Sequence, residues 1–142
     1  MDLVFVSAMG VPGGGRTFIT PRMLRHVNLV SLATIDDGTM TRIFRKILTW
    51  FLGNNFENDE IKKMETKMVN ATLEMYTQIK TQLRATPAKQ HYQFNLRDFA
   101  KVINGICMCN EARIENPEQM VRLWQHEIWR VFADRLVNNE DK

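Results

Sequence analysis

The sequence predicts a mostly α-helical protein with a small α/β portion at its N-terminus. Apolar residues recur at helical spacing in four stretches between residues 37 and 136. Residues 3–8 and 29–33 are short apolar runs of the kind that forms buried strands. Four of the seven glycines fall between Gly10 and Gly15, directly after the first of these runs. We therefore expect two strands of a larger sheet, followed by a four-helix unit.

The N-terminal portion reads as strand, loop, short helix and strand. After the run at 3–8 and the glycine-rich loop, Thr20 is a plausible N-cap and Pro21 suits the first position of a helix that ends near Val27. The second strand follows at 29–33. Two strands are too few for a stable sheet. We therefore expect the other strands of this sheet to lie outside the sequence.

The first two long helices are predicted from their apolar spacing. One runs from Asp37 to about Leu52 and ends at Gly53 with Asn54 and Asn55, which are typical of a helix C-terminus. The other runs without interruption from residue 58 or 59 to about residue 84. The predicted inner faces consist of Met40, Ile43, Phe44, Ile47, Leu48 and Phe51 in the first helix, and of Ile61, Met64, Met68, Ala71, Met75, Ile79 and Leu83 in the second.

The last two helices begin at asparagine caps. Asn95 caps the third, and Asn116 caps the fourth, where Pro117 occupies the first turn and Gln119 can complete a capping box. The fourth helix is expected to end near Leu136. The predicted inner residues are Leu96, Phe99, Val102, Ile103 and Ile106, followed by Met120, Trp124, Ile128, Val131 and Phe132.

Composition excludes several classes of protein. No apolar run approaches the roughly 20 residues that a membrane span requires. Cys107 and Cys109 are separated by one residue, which indicates neither a disulfide framework nor a zinc site, and a reducing intracellular compartment is expected. A net charge of +3 is a mild bias and does not indicate nucleic-acid binding.

Three features could contact phosphate groups. The loop from Gly10 to Arg16 follows a predicted strand but lacks the GxxxxGK[ST] pattern, so a turn or a partner surface is the alternative. Arg22 and Arg25 share one face of the short helix, where they could clamp a phosphate or simply face solvent. Arg97 stands at a helix N-terminus, where the macrodipole disfavours a cation; this indicates an anionic partner, either a ligand or the adjacent aspartate.

Four segments resemble a dynein heavy chain, in an order and spacing similar to the third AAA+ module of an axonemal motor ring. They are FVSAMGVPGGGR at residues 5–16, ITPRMLRHVN at 19–28, FNLRDFAKVING at 94–105 and VRLWQHEIWRVFADRL at 121–136. The resemblance implies that residues 1–36 are the incomplete end of an AAA+ large subdomain and that 37–142 are its helical lid. The Walker A and Walker B motifs of such a module are absent from this sequence.

The resemblance also implies roles for single residues. Arg97 matches the sensor-two arginine, which contacts the phosphates of its own module's nucleotide. Arg22 and Arg25 match the region of the arginine finger, which acts on the preceding module's site. Arg25 is favoured because it directly precedes the exit from the helix. The sensor-one strand ends in Met9 and Gly10 where a polar residue is usual, so hydrolysis in this module is expected to be slow, regulatory or assisted from elsewhere.

The expected function is that of a motor fragment without ATPase activity of its own. ATP or ADP with Mg would bind only in a complete module, and no cofactor or metal is expected for the isolated chain. Expected partners are neighbouring AAA+ modules, dynein subunits and, indirectly, microtubules, with no nucleic acid and no membrane. The location would be the cytoplasm, the cytoskeleton and the axoneme of a cilium or flagellum. The alternatives are a stand-alone helical interaction module, or an inert product of a partial gene.

Overall fold

The computed structural model describes residues 3–10 and 17–142. The chain divides into two compact units, Met1–Thr34 and Ile35–Lys142. Regular structure in the described residues is helical, apart from an isolated bridge between Thr86 and Lys89. The α-helices are α1 (Pro21–Leu24), α2 (Asp37–Asn55), α3 (Asp59–Lys62), α4 (Glu65–Gln82), α5 (Leu96–Cys107) and α6 (Pro117–Phe132), with short 3-10 helices at Glu111–Arg113 and Ala133–Arg135.

The N-terminal unit does not contain the two predicted strands. Residues 3–8 and 29–33 have no regular secondary structure, and their side chains are exposed. A strand exists only through hydrogen bonds to a neighbouring strand, and the described residues supply no such neighbour. The short helix does begin at Pro21, although it ends at Leu24 and the Thr20 side chain makes no capping hydrogen bond.

The second unit is built around one apolar core. Helix α2 packs against α4 and α5, and α5 packs along α6. Phe99, on α5, is completely buried and contacts the rings of Phe44 and Tyr76, at centroid distances of 4.6 and 5.9 Å. The predicted inner residues Phe99, Val102, Ile103 and Ile106 of α5 are all buried. These contacts join helices α2, α4 and α5 into one packed unit.

The inner faces of α2 and α4 differ from the predicted ones. Ile43 and Ile47 of α2 are 44% and 41% exposed. The buried residues of α2 are Met40, Phe44, Leu48, Phe51 and Leu52. Met75 of α4 is also exposed. The buried face of α4 consists instead of Met68, Val69, Thr72 and Tyr76.

The helix that was predicted from residue 58 or 59 to about residue 84 is divided into α3 and α4. The predicted single helix is interrupted at Lys63 and Met64, where the Met64 N–H donates to the Ile61 carbonyl three residues back. The stripe predicted for one continuous helix therefore does not carry across the break, and α4 has its own buried face.

Candidate functional site

The N-terminus of α5 is closed by a reciprocal cap. The Asn95 side-chain oxygen accepts a hydrogen bond from the Arg97 N–H at 2.9 Å. The Asp98 carboxylate accepts one from the Asn95 N–H at 3.1 Å. Such a capping box satisfies donors that a helix start would otherwise leave unpaired. The backbone on both sides of Arg97 is consequently held in place.

Asp98 is a buried carboxylate with several partners. It is 3% exposed, and Arg135 donates to both of its oxygens, at 2.6 and 3.2 Å. The Lys101 ammonium lies 3.4 Å away. Burial alone would raise the pKa of Asp98, but the Arg135 hydrogen bonds, the Asn95 N–H and Lys101 outweigh it and lower that pKa. Asp98 is therefore ionised at neutral pH.

This arrangement leaves the guanidinium of Arg97 accessible. Arg97 is exposed, whereas its neighbour Asp98 points into the protein and pairs with Arg135 and Lys101. Within residues 3–10 and 17–142, no carboxylate forms an ion pair with Arg97. The adjacent aspartate is thus not the anionic partner that the sequence left as an alternative. An exposed guanidinium of this kind suits a phosphate oxygen.

The two other predicted site residues lie in the N-terminal unit. Arg22 is on α1 and Arg25 is the residue that follows its last turn, and both are exposed. Their spacing of three places them on one side of the helix. Of the predicted glycine-rich loop, only Gly10 belongs to the described residues; residues 11–16, including Arg16, lie outside them.

Sequence reasoning named Asn95 as a cap and considered Asp98 only as a possible ion-pair partner of Arg97, and it missed Arg135. The spacing of Asn95 and Asp98 is that of a capping box and could have revealed the role of Asp98. Arg135 is 37 positions from Asp98 along the chain, and no local pattern indicates that the two meet. Its only signal is a position within the last of the four dynein-like segments.

Other polar features of the helical unit suit phosphate less well. A shallow depression between α2 and α4 carries two carboxylates, which repel anions. Its lining residues are Asp37, Asn70, Leu73, Glu74, Thr77 and Gln78.

The two cysteines, Cys107 and Cys109, are free and half-buried, and burial raises the pKa of both thiols, which makes them weak nucleophiles. The part of the chain that the structure describes contains no cluster of three metal-ligating side chains, and none of its helices has the length and apolarity to cross a membrane.

Comparisons with known proteins cover the whole chain. Residues 43–142 match the family model for the dynein heavy chain ATPase lid domain, and residues 1–35 match that for the P-loop containing dynein motor region. Over its full length the chain is 44% identical to dynein axonemal heavy chain 12 of Mus musculus and 47% identical to dynein axonemal heavy chain 1 of Rattus norvegicus. It is 41% identical to dynein axonemal heavy chain 3 of Homo sapiens. The chain spans 5%, 3% and 3% of these relatives' lengths.

Proposed function

This chain belongs to the dynein heavy chain family, and from that premise we propose that it serves as the ATPase lid and adjoining large-subdomain end of one AAA+ module in an axonemal motor. The lid match over residues 43–142 and the axonemal names of the relatives support this proposal. The order of the four dynein-like segments favours the third module. The chain would transmit the nucleotide state of its module and would not hydrolyse ATP by itself.

The observation that carries the proposal is the exposed guanidinium of Arg97, whose backbone is held in place by the capping box. Its backbone N–H is held by Asn95, and the carboxylate beside it is occupied elsewhere. In a complete module Arg97 would donate hydrogen bonds to the phosphates of ATP or ADP, which with Mg supply the chemistry of phosphoryl transfer. A lid that binds phosphate through one arginine would move when the phosphate dissociates.

The proposal also gives the arginines of α1 a role on the neighbouring module. Arg25, or alternatively Arg22, would act as the arginine finger that stabilises transition-state charge at the preceding site. The partners would then be the adjacent AAA+ modules and other dynein subunits, with microtubules as the track that the assembled motor uses. The location would be the axoneme of a cilium or flagellum.

The test of the lid function is nucleotide affinity in the intact heavy chain. Arg97→Ala should weaken binding of a fluorescent ADP analogue about tenfold or more, since a hydrogen bond to a charged group contributes roughly 1.5–3 kcal/mol. Arg122→Ala, at another exposed arginine on α6, is the matched control and should leave affinity unchanged. Equal affinities for the two variants would contradict the proposal.

The finger role is tested by ATP turnover in the same motor. Arg25→Ala should slow turnover at the preceding module if that site hydrolyses ATP, and Arg22→Ala should slow it less. A slowed Arg22→Ala variant beside an unaffected Arg25→Ala variant would transfer the role to Arg22. Normal turnover in both variants would remove the finger from this helix.

A second candidate function is a stand-alone interaction module. It is favoured by the separate core of residues 35–142 and by an exposed apolar stripe on α2, formed by Ile43, Ile47 and Trp50. Limited proteolysis tests it. A resistant fragment covering residues 35–142, with rapid loss of residues 3–34, would support this function. Digestion of both parts at the same rate would oppose it.

A further inference from the structure

Two segments of the helical unit, Ile35–Lys142, are connected beside Arg97 by hydrogen bonds and an ion pair. We name residues 89–98, which lead into α5, the cap segment, and residues 133–141, which come after α6, the exit segment. The Tyr92 hydroxyl accepts a hydrogen bond from the Val137 N–H at 2.9 Å and donates one to the Asp141 carboxylate at 2.7 Å. Lys89 forms an ion pair with the same carboxylate. These bonds hold the exit segment against the cap segment.

Arg135 is the residue of the exit segment that contacts the chain next to Arg97. Its guanidinium donates to both oxygens of Asp98 and, at 3.1 Å, to the Gln93 carbonyl. It also lies over the Phe94 ring, 5.2 Å from the ring centroid. The contacts of Arg135 therefore fall on both sides of Arg97, at residues 93–94 and at residue 98.

We call the contact between Asp98 and Arg135 the brace. Its strength follows from the burial of the two side chains. The side chains of Asp98 and Arg135 are 4% and 25% exposed, so their attraction is screened by water less than that of a surface pair. A two-point guanidinium–carboxylate contact also fixes direction as well as distance. A phosphate-binding side chain needs such support, because small errors of placement weaken its contact.

We infer that Arg135, acting through Asp98, is a positioning residue that aims Arg97 and links it to the exit segment. This inference rests on the proposed function of Arg97. Binding of phosphate at Arg97 favours one placement of the cap segment, and the brace passes that preference to the exit segment. Because coupling between sites is reciprocal, a displacement of the exit segment would in turn change the affinity for nucleotide.

A double-mutant cycle in the intact heavy chain separates positioning from general stability. We expect Arg135→Gln to weaken binding of the fluorescent ADP analogue about fivefold, and to have no further effect when Arg97→Ala is already present. Arg135→Lys, which keeps the charge, should recover part of the loss. Arg45→Gln breaks an ion pair between α2 and α4 far along the chain from the cap segment, and this matched control should leave affinity unchanged.

Two results of the cycle would overturn the inference. One is an unchanged affinity in Arg135→Gln, and the other is an equal loss with and without Arg97→Ala. If Arg97→Ala itself has no effect, the proposed function fails, and the nucleotide part of the inference fails with it. That outcome is distinct, because it is measured in the Arg97→Ala variant alone, whereas both results named above are measured with Arg135→Gln.

Amide hydrogen exchange tests the link between the segments without any nucleotide. Arg135→Gln should raise exchange in the cap segment and the exit segment together, at Tyr92, Asn95 and Val137, while exchange in α2 and α4 stays as in the wild type. Faster exchange throughout the helical unit would indicate a structural role and contradict the inference. Unchanged exchange in the cap segment would contradict it as well.

Discussion

Gly105 of α5 offers a sharp test of how α5 and α6 pack. A Cβ atom at this position would lie 1.8 Å from one carboxylate oxygen of Glu127 and 2.3 Å from its carboxyl carbon. Glu127 is 7% exposed and accepts hydrogen bonds from Arg130 at 2.5 and 3.1 Å. Gly105→Ala must therefore push the Glu127 carboxylate out of its place.

The cost of this displacement can be worked out from the same contacts. Arg130 is half exposed, so losing its pair with Glu127 costs at most about 1 kcal/mol. A displaced rotamer adds about 0.5–1.5 kcal/mol, and replacing a glycine inside a helix by alanine returns about 0.5–1 kcal/mol. We expect Gly105→Ala to lower the free energy of unfolding by about 1 kcal/mol. In a Glu127→Ala background only the helix gain remains, so Gly105→Ala should raise that free energy.

Urea unfolding followed by far-ultraviolet circular dichroism measures all four members of this cycle. Gly53→Ala is the matched control, since a Cβ atom there meets nothing within 4 Å, and it should stabilise the protein in both backgrounds. The predicted clash is refuted if Gly105→Ala stabilises the wild type as Gly53→Ala does. It is also refuted if Glu127→Ala does not reverse the sign of the effect.

Three further predictions concern the same unit. The pKa of Asp98 is lower in the folded protein than the unfolded value of 3.8, so the ionised carboxylate stabilises the fold above that pH. The difference in unfolding free energy between wild type and Asp98→Asn should therefore shrink as pH falls below 3.8. A difference that stays constant in acid unfolding would be inconsistent with this. Trp124→Phe removes a 2.8 Å hydrogen bond to the buried Thr72 hydroxyl and should cost about 1 kcal/mol in urea unfolding, against no change if the bond is unimportant. Titration calorimetry of the isolated chain with ATP should show no binding at physiological concentrations, and a micromolar dissociation constant that Arg97→Ala abolishes would contradict this.

The helix starts were predictable because their signals are local. Asn95 and Asn116 were expected to cap helices, and α5 and α6 do begin at the next residues. Gln119 closes its capping box by accepting hydrogen bonds from the N–H groups of Glu115 and Asn116, at 2.8 and 3.4 Å. Each of these interactions joins residues at most four positions apart.

Features that depend on distant neighbours were not predictable in this way. Thr72 is completely buried although it is polar, since its hydroxyl donates to the Met68 carbonyl and accepts from the Trp124 ring N–H. A search for apolar stripes passes over such a residue. The strands predicted at 3–8 and 29–33 are not formed in the described residues, because a strand requires a neighbouring strand to which it can hydrogen-bond.

In the candidate site, too, local features were predictable and distant contacts were not. Arg97 could be identified as a candidate phosphate-binding residue from its unfavourable position at a helix N-terminus and from the resemblance to dynein. Its role remains a prediction. The contact between Asp98 and Arg135 could not be predicted from the sequence, because it joins residues 37 positions apart. The same holds for the contact between Gly105 and Glu127.

The most direct test of the proposed lid function is a structure of the intact motor with ADP bound at this module. We predict that a guanidinium nitrogen of Arg97 lies within about 3.2 Å of a phosphate oxygen, with Asp98 still paired to Arg135. A bound phosphate that is contacted by other cations, with Arg97 facing solvent, would contradict this central claim.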